Sequence, residues 1–177
     1  MKKKSSNCVL PKDTIIGQLF GKIDYQDCYS VSICNPHDYS VDYLTQWFFS
    51  STPGWVHRLM TLRNLIVSFF GLKGGNIDKT EIHNPSVFYP KGSKIAIFTV
   101  YDRNDHEIVM AEDDKHLNFR TSIMIEKDKD ENPIRLYLST IVQYNNIWGR
   151  FYFMFVKPFH QSICKTMLKI LLQNTEV

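Results

Sequence analysis

The sequence predicts an α+β fold in which a curved antiparallel sheet wraps around a long C-terminal helix, with two short helices after the first strand. Three observations carry that expectation. Between Lys94 and Tyr144, runs rich in Ile, Val, Phe, Tyr and Thr are separated by polar turns, the pattern of a meander. From Phe159 onward, Ile163, Met167, Ile170 and Leu171 repeat at helical spacing. Ahead of the meander, cap residues and a proline mark two helix starts. One strand, two helices, a meander and a terminal helix bury their apolar faces together only if the sheet curls around the last helix. A cavity then opens between sheet and helix.

In order along the chain, Asp24 to Cys34 forms a first extended run that ends at Asn35 and Pro36, whose fixed φ and missing N–H favour a turn. Ser40 then suits an N-cap, Asp42 the first turn, and Val41, Leu44, Trp47 and Phe48 one helical face. Ser51 or Thr52 before Pro53 starts a second helix, which Gly71 stops. Its apolar band includes Trp55, Leu59, Leu62, Leu65, Ile66 and Phe69. Arg58 and Arg63 begin within that band, so their guanidiniums either snorkel to its edge or pair with carboxylates, for which Asp113 and Asp114 are the candidates. Four strands follow, Lys94 to Asp102, Glu107 to Asp113, Leu117 to Glu126 and Ile134 to Tyr144, with a short additional strand near Val87 to Tyr89. Phe151 to Val156 fits either a final strand or the start of a long helix kinked at Pro158, and the long helix is preferred. Residues 1–20 read as an N-terminal extension and 21–177 as one domain.

Composition narrows the function classes. A chain of 177 residues with 44% hydrophobic and 22% charged residues is long enough to bury a real core, which excludes disordered, collagen-like and coiled-coil classes. Its 12 Phe, 9 Tyr and 3 Trp exceed what a minimal core needs and imply that something apolar is lined. The net charge of +3 is supplied by Lys2, Lys3 and Lys4, so no basic stripe for nucleic acid is expected. With no apolar run of about 20 residues there is no membrane span, and with no signal-peptide core after the basic start the chain reads as cytoplasmic with a frayed tip. The cysteines at 8, 28, 34 and 164 form no C-x-x-C pair and read as reduced thiols.

Familiar chemical motifs fail on spacing. There is no G-x-G-x-x-G, Walker loop, H-E-x-x-H or G-x-S-x-G, so no cofactor is implied. Asp128-x-Asp130-x-Asn132 opens like a calcium loop, but Pro133 stands where that loop needs a glycine. A metal site from His116, His160 and an acid lacks any spacing signature, and none is expected.

The informative cluster is Glu112 to Ser122. In a strand from Leu117, the side chains of His116, Asn118, Arg120 and Ser122 share one face. That row is either the solvated side of the sheet or a polar lining of its concavity, where Arg120 and His116 would meet a ligand's polar end. His160 falls on the buried side of the last helix, as a core histidine or as a ligand contact and proton carrier.

The segments Thr52-Pro53-Gly54-Trp55-Val56, Leu62-Arg63-Asn64, Phe70-Gly71-Leu72-Lys73, Glu112 to Arg120, and Gly149-Arg150-Phe151-Tyr152 to Pro158-Phe159-His160 resemble a bacterial family classed as a domain of unknown function. The order of elements resembles the helix-grip fold of the START-like, or Bet v 1-like, SRPBCC superfamily. The resemblance covers about Tyr25 to Leu172 and implies a fold and motif positions without a reaction. It also implies relatives that occur alone or fused behind an NAD(P)-binding Rossmann domain. Asn118 departs from the aspartate that the motif carries.

Three function classes stand. The first is a binding module for a small hydrophobic molecule, with Trp55, Tyr144, Phe153 and Met167 as wall and Arg120, His116 and His160 orienting a polar end. The second is an enzyme on a carbonyl compound, in which His116 or His160 moves a proton and Arg120 stabilises an oxyanion. The third is a protein-interaction domain linked to dehydrogenase partners, which a large exposed apolar patch would mark.

Overall fold

A computed structural model describes residues 6–33, 39–50, 52–59, 61, 86–127 and 134–174. The strands are β1 (Ser6–Asn7), β2 (Tyr25–Ile33), β3 (Lys94–Ile95), β4 (Phe98–Arg103), β5 (Glu107–Asp113), β6 (Leu117–Glu126) and β7 (Ile134–Tyr144). They form one antiparallel sheet in the order β1-β2-β7-β6-β5-β4-β3. Helix α1 (Val41–Ser50) follows β2, residues 54–59 are helical, and α2 (Ile147–Asn174) closes the chain. The sheet-plus-terminal-helix arrangement agrees with the expected one. The stop of the second short helix at Gly71 lies outside the described residues.

The strands differ from expectation in two places. The run from Lys94 is broken at Ala96, whose φ of 54° makes the tight corner between β3 and β4, and a bulge lies between Val100 and Asp102. No strand forms at Val87 to Tyr89, because the Tyr89 N–H donates to Asp42 Oδ1 at 2.8 Å instead of to a sheet neighbour. Asp42 also takes a bidentate contact from Arg103, 2.6 and 2.9 Å, with the Phe88 ring 4.1 Å from the guanidinium carbon. This pair fastens α1 to β4.

Period-2 alternation gives the sheet two different faces. One turns Tyr29, Val31, Ile33, Ile108, Met110, Ile123, Ile125, Leu136 and Leu138 toward Cys164, Met167, Leu168, Leu171 and Leu172 of α2, together with Val41, Leu44 and Phe48 of α1. The other carries Val109 and Ile141, which Ile16, Leu10, Ile15, Leu19 and Phe20 cover. Glu107, buried at the start of β5, accepts hydrogen bonds from Ile15 N–H (2.6 Å) and Ile16 N–H (3.3 Å). Burial nevertheless holds its carboxyl above the ordinary range. From Ser6 on, therefore, the N-terminal stretch is part of the sheet and of its outer cover.

The expectation of four reduced thiols is corrected for two of them. Cys8 and Cys28 are joined as a disulfide, with their Cα atoms 5.2 Å apart. The cause is register: Ser6 and Asn7 pair with Ser30 and Tyr29, and Cys8 N–H donates to Cys28 O at 2.9 Å, which sets the two cysteines side by side. Their spacing in sequence carries no sign of this. Cys164 is free and buried, and Cys34 lies outside the described residues.

Candidate functional site

The site is framed by the junction of the β5–β6 turn with the start of α2. Asp114 Oδ1 accepts from the N–H groups of His116 (2.5 Å) and Leu117 (3.1 Å), an Asx turn. Asn145 Nδ2 donates to Asp114 O (3.0 Å) and to Asn118 Oδ1 (3.2 Å), and Asn146 Nδ2 donates to Lys115 O (3.0 Å). Asn146 Oδ1 accepts from Gly149 N–H at 3.1 Å and so caps the helix. Gly149 is required by the close approach, since a Cβ there would fall onto the His116 carbonyl oxygen. Two asparagines and one glycine thus join turn and helix.

Between this junction, the β4 end of the sheet and the first half of α2 lies a cavity of about 210 Å³. Its wall is mostly apolar: Ile97, Phe98, Leu117 and Phe119 from the sheet, Tyr152, Phe153, Phe155, Val156, Phe159 and Ile163 from α2, and Leu59 from the short helical stretch. Phe98 and Phe119 stack at 5.7 Å, and Phe119 meets the His160 ring edge-on at 5.6 Å. His160, Glu112 and Asp114 are the polar members of the wall.

Behind His160 is a buried polar cluster. Its Nε2 lies 3.4 Å from Asp27 Oδ2, with 14% and 9% of the two side chains exposed. The same carboxylate oxygen accepts from Tyr25 Oη–H (2.7 Å) and Tyr29 Oη–H (3.4 Å), and Gln161 Nε2 donates to Tyr25 Oη at 3.0 Å. Cys164, one helical turn on from His160, sets its Sγ 3.6 Å from Nε2. Burial pulls His160 down, but the Cys164 sulfur and the Asp27 carboxylate outweigh it and push the imidazole up to about 10. Burial likewise works against an ionised Asp27, yet the His160 and Tyr25 hydrogen bonds hold its carboxyl below the usual range. Both shifts favour the carboxylate–imidazolium form of the pair. Burial and the adjacent Asp27 carboxylate raise both tyrosines above the ordinary phenol range, so they remain donors.

Of the candidate site residues singled out in the sequence, Phe153, His160 and Asp114 line the cavity. Tyr144 packs on Phe153 from behind, ring centres 5.9 Å apart, and Met167 is buried in the main core. Trp55 is 39% exposed. His116 sits on the β5–β6 turn with Nδ1 beside the Asn146 amide (Oδ1 3.2 Å). Arg120 lies on the opposite face of β6 from the cavity, buried, with its guanidinium paired to both Asp113 oxygens and 4.4 Å from the Tyr101 ring. The partner of Asp113 is therefore Arg120. Arg58 is exposed, and Arg63 lies outside the described residues.

Asp27 is the functional candidate that sequence reasoning missed. A signal exists: on β2 the residues sharing its face are Tyr25, Tyr29, Val31 and Ile33, and a lone acid in such a row needs a buried partner. Among the described residues, no group of three or more His, Cys, Asp or Glu side chains could hold a metal ion. Among the described residues, no helix is long and apolar enough to cross a membrane.

No curated protein and no solved structure matches the chain. One family model matches residues 19–167, and it is described as a protein of unknown function (DUF2867).

Proposed function

The chain belongs to the DUF2867 family, and since membership brings no activity with it, we propose that it is a helix-grip protein of the START-like kind that holds a small, largely apolar molecule between sheet and α2. The cavity is the observation that carries this reading. An engineered apolar cavity of about 150 Å³ takes up benzene, so about 210 Å³ suits a molecule somewhat larger than one aromatic ring. Phe98, Phe119, Phe153 and Phe159 supply apolar contact, and His160, kept protonated by Asp27, offers an N–H to an oxygen-bearing end. Arg120 takes no part in this reading, because Asp113 and Tyr101 hold it on the far face.

The test is to purify the protein without denaturation, extract it with organic solvent and identify any stoichiometric compound by mass spectrometry. Val156→Trp, which fills the cavity, should abolish that compound and the uptake of an apolar fluorescent probe at unchanged melting temperature. A wild-type protein that is empty and takes up no probe overturns the reading.

A second reading has one observation in its favour, the Asp27–His160 pair beside the cavity. There His160 would act as a general acid toward the oxygen of a bound carbonyl compound. It requires a turnover that His160→Gln abolishes.

A further inference from the structure

The first half of α2 carries a feature that the cavity does not use in full. Ile147, Trp148, Phe151, Met154, Phe155 and Phe159 are each roughly half or more exposed. On a helical wheel they form one continuous stripe, opposite the side that buries Phe153, Cys164, Met167 and Leu171. Monomeric soluble proteins rarely leave so many aromatic side chains together in water, and such a stripe marks an interaction surface. Further along the same face come the exposed Lys165 and Lys169, and exposed Arg150 and Lys157 flank the stripe on one side. From Ile147 to Asn174 there is no Asp or Glu.

We propose that this face of α2 docks on an anionic lipid surface, with the aromatic stripe at the level of the headgroups and acyl chains and the four basic residues meeting the lipid charges. Charge decides between a bilayer and a second copy of the chain. A two-fold contact sets the same patch against itself, so Arg150, Lys157, Lys165 and Lys169 would face like charges with no acid on the helix to answer them. An anionic surface is complementary along the whole length, and Trp with Phe on one face and Lys or Arg beside them is the composition of helices that lie in the interface. Phe155 and Phe159 belong both to the stripe and to the cavity wall. The docked face is thus continuous with the cavity, and an apolar molecule passing between them stays out of water.

Co-sedimentation of the full chain with vesicles tests this. Vesicles of phosphatidylcholine with about one-third phosphatidylserine should bind it, pure phosphatidylcholine should bind it far more weakly, and added salt should release it. Lys165→Ala and Lys169→Ala should each lower partitioning about five-fold. Trp148→Glu with Phe151→Glu, neither of which lines the cavity, should abolish binding at unchanged melting temperature. Equal binding to both vesicle types, or to neither, overturns the proposal. So does a wild-type dimer in sedimentation equilibrium that the Trp148→Glu, Phe151→Glu variant converts to monomer.

Discussion

Replacing Asp27 with Asn isolates the buried pair behind the cavity. Asparagine keeps the volume and an acceptor for the Tyr25 hydroxyl, but removes the charge that faces His160 at 3.4 Å. Breaking a buried pair from one side costs about 3–5 kcal/mol, and with His160 free to shed its proton the lower end, about 3 kcal/mol, is expected near neutral pH. The pH dependence is the sharper readout. His160 is raised from 6.5 to about 10 in the fold, so the folded chain holds a proton that the unfolded chain releases. The stabilisation is complete below pH 6.5 and drains away as the pH climbs toward 10, with a slope of at most about 1.4 kcal/mol per pH unit for one proton. Asp27 behaves in the opposite sense: its share is present above 3.8 and is lost as the pH falls through its lowered folded value. In Asp27→Asn the carboxylate's share of the raise on His160 is lost while burial and the Cys164 sulfur still oppose each other. The slope above 6.5 should then be clearly shallower than in the wild type. Urea unfolding of both proteins, followed by circular dichroism between about pH 5 and pH 9, measures this. Parallel stability curves for the two proteins would refute the assignment of an ionised pair.

Gly149→Ala places a methyl group against the His116 carbonyl and should cost about 2–3 kcal/mol in denaturant unfolding, whereas Gly21→Ala, where a Cβ meets nothing, should cost less than about 1; equal costs would contradict the close approach. Arg103→Met leaves the Asp42 carboxylate buried without its cation and should destabilise by about 3–5 kcal/mol, largely restored by adding Asp42→Leu; a double variant no more stable than the single one speaks against the pair. Reducing Cys8–Cys28, which closes a separation of 20 residues, should lower stability by about 3 kcal/mol, and Cys8→Ser should reproduce that loss and be insensitive to reductant. An unmodified chain whose intact mass shows four free thiols would remove the disulfide from the account.

How far the fold was legible depends on what each residue pattern encodes. Strands β5, β6 and β7 fall where alternation and polar turns set them, because period-2 patterning and turn chemistry are local. The half of α2 after Pro158 is readable from helical spacing, whereas the six consecutive apolar residues Phe151 to Val156 fit a strand as well as a helix. Alternation separates the two faces of β6 but does not say which is inside, and here both are covered. Arg120 and Ser122 are buried on the outer face, as Thr121 and Ile123 are on the inner one. That is why the polar row 116–122 looked equally apt for solvent and for a cavity. His160 was visible from its wheel position, whereas its partner Asp27 is 133 positions away in sequence and met only through β2–β7 pairing and the packing of α2. The Cys8–Cys28 bond is likewise a product of register, which no spacing rule reveals.

The asparagine joint has a mechanical corollary. Since Asn145 and Asn146 tie the β5–β6 hairpin tip to the first turn of α2, the side of the cavity built from Asp114, Leu117, Tyr152 and Phe153 is cross-braced by hydrogen bonds. Under the proposed ligand-binding reading, a guest would enter by the other rim, where Ile97 and Phe98 follow the left-handed corner at Ala96 and Leu59 also lines the wall. On that reading the chamber has a braced jamb and a yielding one, and bulk added at Ile97 should slow entry more than the same bulk added at Tyr152.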